Sequence, residues 1–512
     1  MNHIPKTLPT ADASTTDAPA VLPDPLPIRP FSRTARLSVT LPGSKSITNR
    51  ALVLAALAAG TTTLRGALFS RDTRIMVAAL RELGFSVECA EAAREITVGG
   101  RGGEIPNARA SLHVGNAGTA ARFLTAMLAL RRGGEYALDG DDAMRRRPMD
   151  GLLRALEPLG ATATAPDGSL AKSFPFTLRT AGLRGGEILA DASASSQILS
   201  ALLLVAPLAP APLRIRLAGK TVSEPFVEMT LRLMSQFGAP PPETSPTPST
   251  PDAATTFAFR GNANYHSPAY AYDIEPDATA ASYFLALPLA APVSVLVRGL
   301  RENSLQGDTA FAKILRKIGL DIRTVADGFL AEKPPAPSAS PRATPPASAP
   351  ASPPVHAAVA HDFNAVSDTF LTLAALAPLL PEPLSIRGVA HARRQETDRL
   401  LAVAVELERL GQRVEPSAAA LRADPSIGDL TIFPDLAAMR RLSSAAPLPV
   451  RTYEDHRMAM SFAILGTHDL HGDGRPWLAI EDPACCGKTF PDFFDVLAGL
   501  QQTCLPVCAL FR

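Results

Sequence analysis

Cysteine is scarce. The chain has 512 residues and five cysteines, Cys89, Cys485, Cys486, Cys504 and Cys508, an odd number clustered mostly near the C-terminus. That excludes a disulfide framework and a zinc ribbon of paired CxxC motifs, and it points to a reducing compartment, the cytoplasm. An excess of charge of either sign is also lacking: 50 Lys plus Arg face 49 Asp plus Glu, a formal net charge of +1. Nothing in that balance attracts nucleic acid or an anionic membrane, so any anion site must be local. The longest apolar runs, 198–213 and 284–297, contain prolines and fall short of the roughly 20 residues of a membrane-spanning helix. No His/Cys/Asp/Glu spacing suits a metal ion, and neither a metal nor a cofactor is expected.

Proline, by contrast, is abundant, with 48 against 34 glycines, and it concentrates in three places. Residues 1–33 read as a disordered tail, rich in Pro, Thr, Ala and Asp without periodicity. With Lys6 as its one lysine and no Arg before Arg29, the tail is a poor match to an Arg-rich transit peptide. Two further tracts, 240–254 and 334–354, read as surface insertions, since Pro/Ser/Thr/Ala sequences bury too little apolar surface to offset ordering entropy. The length is roughly three times that of an ordinary domain of about 150 residues, so more than one unit is expected.

Between these tracts one pattern recurs six times: a short polar or Gly/Ser cluster opens onto an Ala/Leu-rich run. The copies are GSKSITNRALVLAALA from Gly43, GNAGTAARFLTAML from Gly115, SASSQILSALLL from Ser193, PDATAASYFLALPL from Pro276, SDTFLTLAALAPLL from Ser367 and DHRMAMSFAILG from Asp455. Each run has helical spacing and a Ser, Asn or Asp where an N-cap belongs. Short alternating segments between them, such as RLSVT at 36–40, LRIRL at 213–217 and VSVLV at 293–297, read as strands. The expected fold class is therefore α/β, with six similar units. They divide into a domain over 34–273 and a second over 274–512 that carries the 334–354 insert, and the first strand is a candidate to pack on the second domain.

Helix starts expose unpaired N–H groups and the positive end of the dipole, which makes them ready anion sites. Here several also carry cations or polar groups: Lys45, Ser46 and Arg50 in the first copy, and Asn116, Gly118, Thr119 and Arg122 in the second. The GSKS sequence is not a nucleotide P-loop, because Ser44 separates Gly43 from Lys45. Arg147 in RRRPMDG, Arg394 and Arg399 in ARRQETDR, Arg457 in YEDHRMAM and Lys488 in GKTFPDFF stand in similar motif-like contexts.

Eleven segments in order, among them LPGSKSITNRAL, GNAGTAARFL, SASSQILSALLL, EPDATAASYFLA, NSLQGD, RRQETDRL, YEDHRMAMSFA and GKTFPDFF, resemble the 5-enolpyruvylshikimate-3-phosphate synthase family. The resemblance runs from about Leu41 to about Leu497. It implies two domains of three βαβαββ-type units each, an inverse α/β barrel, closing over substrates at their interface. It also implies transfer of the enolpyruvyl group of phosphoenolpyruvate to the 5-hydroxyl of shikimate 3-phosphate by addition and elimination, in chorismate and aromatic amino acid synthesis. A monomer without cofactor is expected, with these two small molecules as its partners and glyphosate as an anion competing with phosphoenolpyruvate.

By the same resemblance Lys45, Gly118, Arg147, Gln197, Arg399, Arg457 and Lys488 hold phosphoenolpyruvate. Lys45, Ser46, Arg50, Ser195, Ser196, Gln197, Ser223 and Asp368 hold shikimate 3-phosphate. Asp368 receives the hydroxyl proton, Glu396 serves the methylene carbon, and Lys45 assists at the leaving phosphate. Asp455 and His456 read as capping residues. Four positions depart from the family pattern. Phe123 stands in place of Pro and is expected to tighten the helix beside Gly118. Phe226 stands in place of Tyr and removes a hydroxyl. Gln395 stands in place of Lys, with Arg394 as the substitute charge, and His391 in place of Asn. Two rival readings are the sister enzyme acting on UDP-N-acetylglucosamine and a silent phosphosugar-binding protein of the same fold. Ser46 after Lys45 and the absence of cysteine between Cys89 and Cys485 disfavour the first; the joint presence of Lys45, Asp368 and Glu396 disfavours the second.

Overall fold

The computed structural model describes residues 22–193, 195–219, 224–246, 255–269, 271–334 and 358–502. The six Ala/Leu-rich runs are helices: Lys45–Leu57, Gly118–Leu128, Ser196–Val205, Ala278–Ala290, Phe370–Leu376 and His456–Gly466. In the first, every residue from Ile47 to Leu57 is buried, and in the second every residue is. Helices apolar on all sides belong inside a core rather than on its surface. Side-chain oxygens cap their starts where the sequence supplies them: Ser44 accepts from the Ile47 N–H, Ser195 from Gln197, Asp277 from Ala280 and Asp455 from Arg457. The first turns of these six helices carry no acidic residue, although Asp277 and Asp455 set a carboxylate at the cap of two of them, against the positive end of the dipole.

Small sheets surround the helices, and most repeat one pattern: a parallel pair bridged by a buried helix, then two antiparallel strands. Arg109–His113 pairs parallel with Arg132–Asp139, Gly186–Ala190 with Leu213–Leu217, Val359–Asp362 with Leu384–Arg387, and Leu448–Val450 with Leu478–Ile480. A parallel pair needs such a crossover, and a helix provides it.

The first unit of each half departs from simple chain order. Ala35–Val39 precedes the Lys45 helix but pairs parallel with Val293–Arg298, Val293 opposite Ala35 and Val297 opposite Val39. In exchange, Tyr265–His266 and Tyr272–Asp273 pair parallel with Ala58–Arg65. The chain thus crosses between the halves twice, and the crossings are zipped together: Ser44 N donates to Glu275 O at 2.8 Å and Asp277 N to Pro42 O at 2.9 Å. A Cβ on Gly43 would sit 1.9 Å from Gly66 O, so this close passage requires glycine. Two apolar cores result, one built from residues between Ile47 and Ile274 with Leu305, the other from Ile28–Leu41 and Ala278–Leu500.

Two expectations need correction. The disordered tail does not extend to residue 33, because Leu26–Pro27 forms an antiparallel edge on Leu478–Ile480 and Ile28 and Phe31 are buried. Alternate apolar residues in PLPIRPF close a sheet that would otherwise end in a three-residue strand, a pattern masked by its prolines. The 240–254 tract is not wholly an insertion either: Glu243–Pro246 pairs antiparallel with Thr255–Phe259. Residues 1–21, 247–254 and 335–357 lie outside the described residues, and among the described ones no helix is long and apolar enough to cross a membrane.

Candidate active site

The helix starts deliver their polar residues to one cleft of about 100 Å³ between the two halves. Lys45, Ser46 and Arg50 line it from the first helix, Thr119 and Arg122 from the second, and Ser195, Ser196 and Gln197 from the third; Asp368, Glu396, Arg399 and Arg457 close the opposite wall. A sequence separation of 372 residues is bridged directly: the Lys488 ammonium donates to Asn116 O at 3.0 Å, and it lies 3.1 Å from Glu396 Oε1. Ser223 lies outside the described residues.

The second wall is an ion network with hardly any exposure. Arg399 is 1% exposed and grips three carboxylates: Asp368 Oδ1 at 3.0 Å, Glu396 Oε2 at 2.9 Å and Asp455 Oδ2 at 2.7 Å. Its guanidinium also donates to Gln395 Oε1. Arg457 reaches the other Asp368 oxygen at 2.8 Å. Charge-assisted bonds of this kind fix orientation as well as charge. Burial pushes the Asp368 carboxyl up, but Arg457 and Arg399 outweigh it and hold it below its ordinary value. Burial likewise pushes Glu396 up, and Lys488, Arg399 and Arg147 together hold it well below the usual carboxylate range. Both are therefore carboxylates at neutral pH. Lys488 is lowered by its burial, against the pull of Glu396.

On the first wall Arg50 and Arg122 make their hydrogen bonds to hydroxyl, amide and carbonyl oxygens rather than to carboxylates. Arg50 donates to Thr230 Oγ1 at 2.7 Å, Ser46 O at 3.0 Å, Ser200 Oγ at 3.2 Å and Phe226 O at 3.3 Å. Its guanidinium carbon lies 5.1 Å from the centre of the Phe123 ring and 5.9 Å from that of Phe226. Arg50 is thus a strut among three helices as well as a charge under the cleft, and burial pushes it down to about 9. Phe123, expected to tighten its helix, packs instead against this cation. Arg122 donates to Gly118 O, Gln197 Oε1 and Pro148 O while its Nε has no partner, and burial together with the nearby Arg147 pushes it down to about 9.

The space left by the missing Cβ of Gly118 is filled by Arg147, whose two terminal nitrogens would each lie 2.7 Å from a Cβ there. Lys45 lies 3.5 Å from Asp72 Oδ2, and its backbone N–H donates to Asp277 Oδ2 at 3.1 Å. Gln395, His391 and Arg394 line the same cleft, so the charge expected of Arg394 is available at its wall.

This arrangement of six buried helices, helix-start cations and paired carboxylates can be set beside known proteins. A family model described as EPSP synthase (3-phosphoshikimate 1-carboxyvinyltransferase) matches residues 33–497. The chain belongs to the EPSP synthase family. A 3-phosphoshikimate 1-carboxyvinyltransferase of Opitutus terrae is 47% identical over 487 residues, covering 94% of this chain and 99% of the relative. One from Nostoc punctiforme is 37% identical over 92% of this chain and 98% of its own, and a chloroplastic one from Petunia hybrida is 36% identical over 92% and 83%. The structure of the EPSP synthase of Acinetobacter baumannii superposes with a TM-score of 0.67 at 20% identity, covering 93% of this chain and 97% of that one, which shows a shared fold.

Four residues in or beside the cleft were given no catalytic or substrate-binding role from sequence. Asp72 sits in the first turn after the Ser70 cap, 2% exposed, with Oδ1 unpartnered; its segment carries no motif that would have shown it. Arg122 was visible as a cation at a helix start and could have been chosen on that ground. Asp455 does cap its helix as expected, and it is also the buried partner of Arg399. His456 is fully buried with both ring nitrogens unpartnered, and burial with the nearby Arg457 and Lys45 keeps it neutral, well below its usual value.

Proposed function

We propose that this cleft transfers the enolpyruvyl group of phosphoenolpyruvate to the 5-hydroxyl of shikimate 3-phosphate with release of phosphate. The observation that carries the reading is that Arg399, Arg457 and Lys488 contact Asp368 and Glu396, while Lys45 and Arg147 of the other half lie close enough to favour the ionised forms of Asp368 and Glu396 respectively. Each substrate carries a phosphate and a carboxylate, and two polyanions share one cleft only where fixed cations and helix N-termini offset their repulsion. Phosphoenolpyruvate is assigned to Lys45, Gly118, Arg147, Gln197, Arg399, Arg457 and Lys488. Shikimate 3-phosphate is assigned to Lys45, Ser46, Arg50, Ser195, Ser196, Gln197, Ser223 and Asp368, with Arg50 acting chiefly as a charge beneath it.

Asp368, held ionised by two arginines, is suited to take the 5-hydroxyl proton while that oxygen bonds to the enol carbon. Glu396 delivers a proton to the methylene carbon in the addition. In the elimination the methyl carbon returns a proton, the carbon–oxygen bond to phosphate breaks, and Lys45 protonates the departing group. A carboxyl held well below its usual pKa is a poor acid, and the ligands supply the remedy. Lys488, Arg399 and Arg147, which depress Glu396, are the cations assigned to phosphoenolpyruvate. Once its carboxylate and phosphate neutralise them, burial dominates and the Glu396 pKa rises toward the range where it can carry a proton.

Cys89, Cys485 and Cys486 are free thiols, in keeping with a reducing cytoplasm. The test of the two-substrate division is steady-state kinetics on Ser196→Ala. The KM for shikimate 3-phosphate should rise by about tenfold, the size of one hydrogen bond to a charged group, with little change in that for phosphoenolpyruvate. The reverse pattern would overturn the division.

A further inference from the structure

The segment that presents Asp455, His456 and Arg457 to the cleft is strained. Tyr453 and Glu454 are consecutive non-glycine residues with left-handed backbone, φ +57° and +56°. Such a pair persists only where its surroundings over-determine it. The turn itself is closed by a single backbone bond, Asp455 N to Thr452 O at 2.9 Å.

What holds it is the Arg399–Arg409 helix, at two points two turns apart on one face. Arg399 takes Asp455 at one end, as described above. At the other, Glu406 receives the Tyr453 phenol on Oε1 at 2.7 Å and the Arg451 backbone N–H on Oε2 at 3.2 Å. Glu406 is 1% exposed, and Arg409 supplies its countercharge at 2.5 Å. A buried carboxylate outside the cleft thus binds both ends of the 451–453 segment. The next residues cap the His456–Gly466 helix and send Arg457 to Asp368.

We infer that Glu406 and Tyr453 are positioning residues for the reaction: their hydrogen bond keeps the left-handed turn formed and so sets the placement of Asp455 and Arg457. The inference rests on the assignment of Arg457 to phosphoenolpyruvate. Neither residue lines the cleft, so their effect passes through Arg457. Glu454 is exposed, which allows the strain to be relieved there without removing packing.

The test compares Tyr453→Phe, the double variant Tyr453→Phe/Glu454→Gly, and Arg457→Lys, each by steady-state kinetics and thermal unfolding. In Tyr453→Phe the KM for phosphoenolpyruvate should rise roughly tenfold, the loss expected of one hydrogen bond to a charged group, with a much smaller change in that for shikimate 3-phosphate. Glycine at 454, at ease at positive φ, should recover most of the loss in the double variant. An unchanged KM in Tyr453→Phe, or a lowered unfolding temperature with both KM values unchanged, would overturn the inference. So would a double variant no better than the single one. Arg457→Lys separates the two readings: if it alone raises the KM for phosphoenolpyruvate, the positioning role falls and the site stands; if neither variant does, the assignment of Arg457 falls as well.

Discussion

At the scale of single residues, Gly118 shows how a small side chain can act through a large one. A Cβ there would meet the guanidinium of Arg147 rather than open space, and a long flexible arginine can swing away. Gly118→Ala should therefore leave the fold intact and raise the KM for phosphoenolpyruvate by about tenfold, as one charge-assisted bond is lost. The inhibition constant for glyphosate should move by a similar factor, since both anions would use Arg147. Paired kinetic and inhibition curves check this, and a shift in the inhibition constant alone would show that the contact with Arg147 does not matter. Sequence made most of these residues legible because each stands in a motif at a helix start. Asp72 was not legible, since its contact with Lys45 arises from the packing of two helices and leaves no local pattern.

At the scale of elements, Asp277 ties two helix starts at the crossing of the halves. Its Oδ1 accepts from Ala280 N at 2.8 Å and its Oδ2 from Lys45 N at 3.1 Å. Asp277→Ala should lower stability by about 2 kcal/mol, from losses of about 1 kcal/mol at each capped start, as read by denaturant unfolding. The neighbouring turn, Gly307–Ala310, buries Asp308, which accepts a hydrogen bond from Thr279. Burial, with the negative charge of Asp368, pushes its carboxyl up from 3.8 to about 7. A raised folded-state value means that its contribution is fully present below pH 3.8 and lost as pH rises through about 7. Asp308→Asn should accordingly raise the melting temperature at pH 8 more than at pH 5; an equal shift at both would show that the carboxyl is ionised throughout. The six helices were legible from composition and caps, whereas Leu26–Pro27 was not, because it pairs with residues about 450 positions away and prolines hide its alternation.

At the scale of the whole molecule, two halves of like design exchange their first strands, so that Ala35–Val39 lies in one half and the Lys45 helix in the other. The sixfold repeat announced the architecture, and the first strand was expected as a candidate to pack on the second half, as it does; the return pairing of Tyr265–His266 and Tyr272–Asp273 with Ala58–Arg65 was not, since it spans more than 200 residues and no local pattern carries it. The consequence of the exchange is that cations and carboxylates from both halves meet in one cleft, which is the basis of the proposed transfer. The most direct test is the initial rate of phosphate release from shikimate 3-phosphate and phosphoenolpyruvate, measured on the parent and on Glu396→Gln. The account predicts release by the parent only when both substrates are present, and a rate lower by at least about 10² in the variant, the usual share of a positioned acid or base. Release without shikimate 3-phosphate, or a variant as fast as the parent, would contradict it.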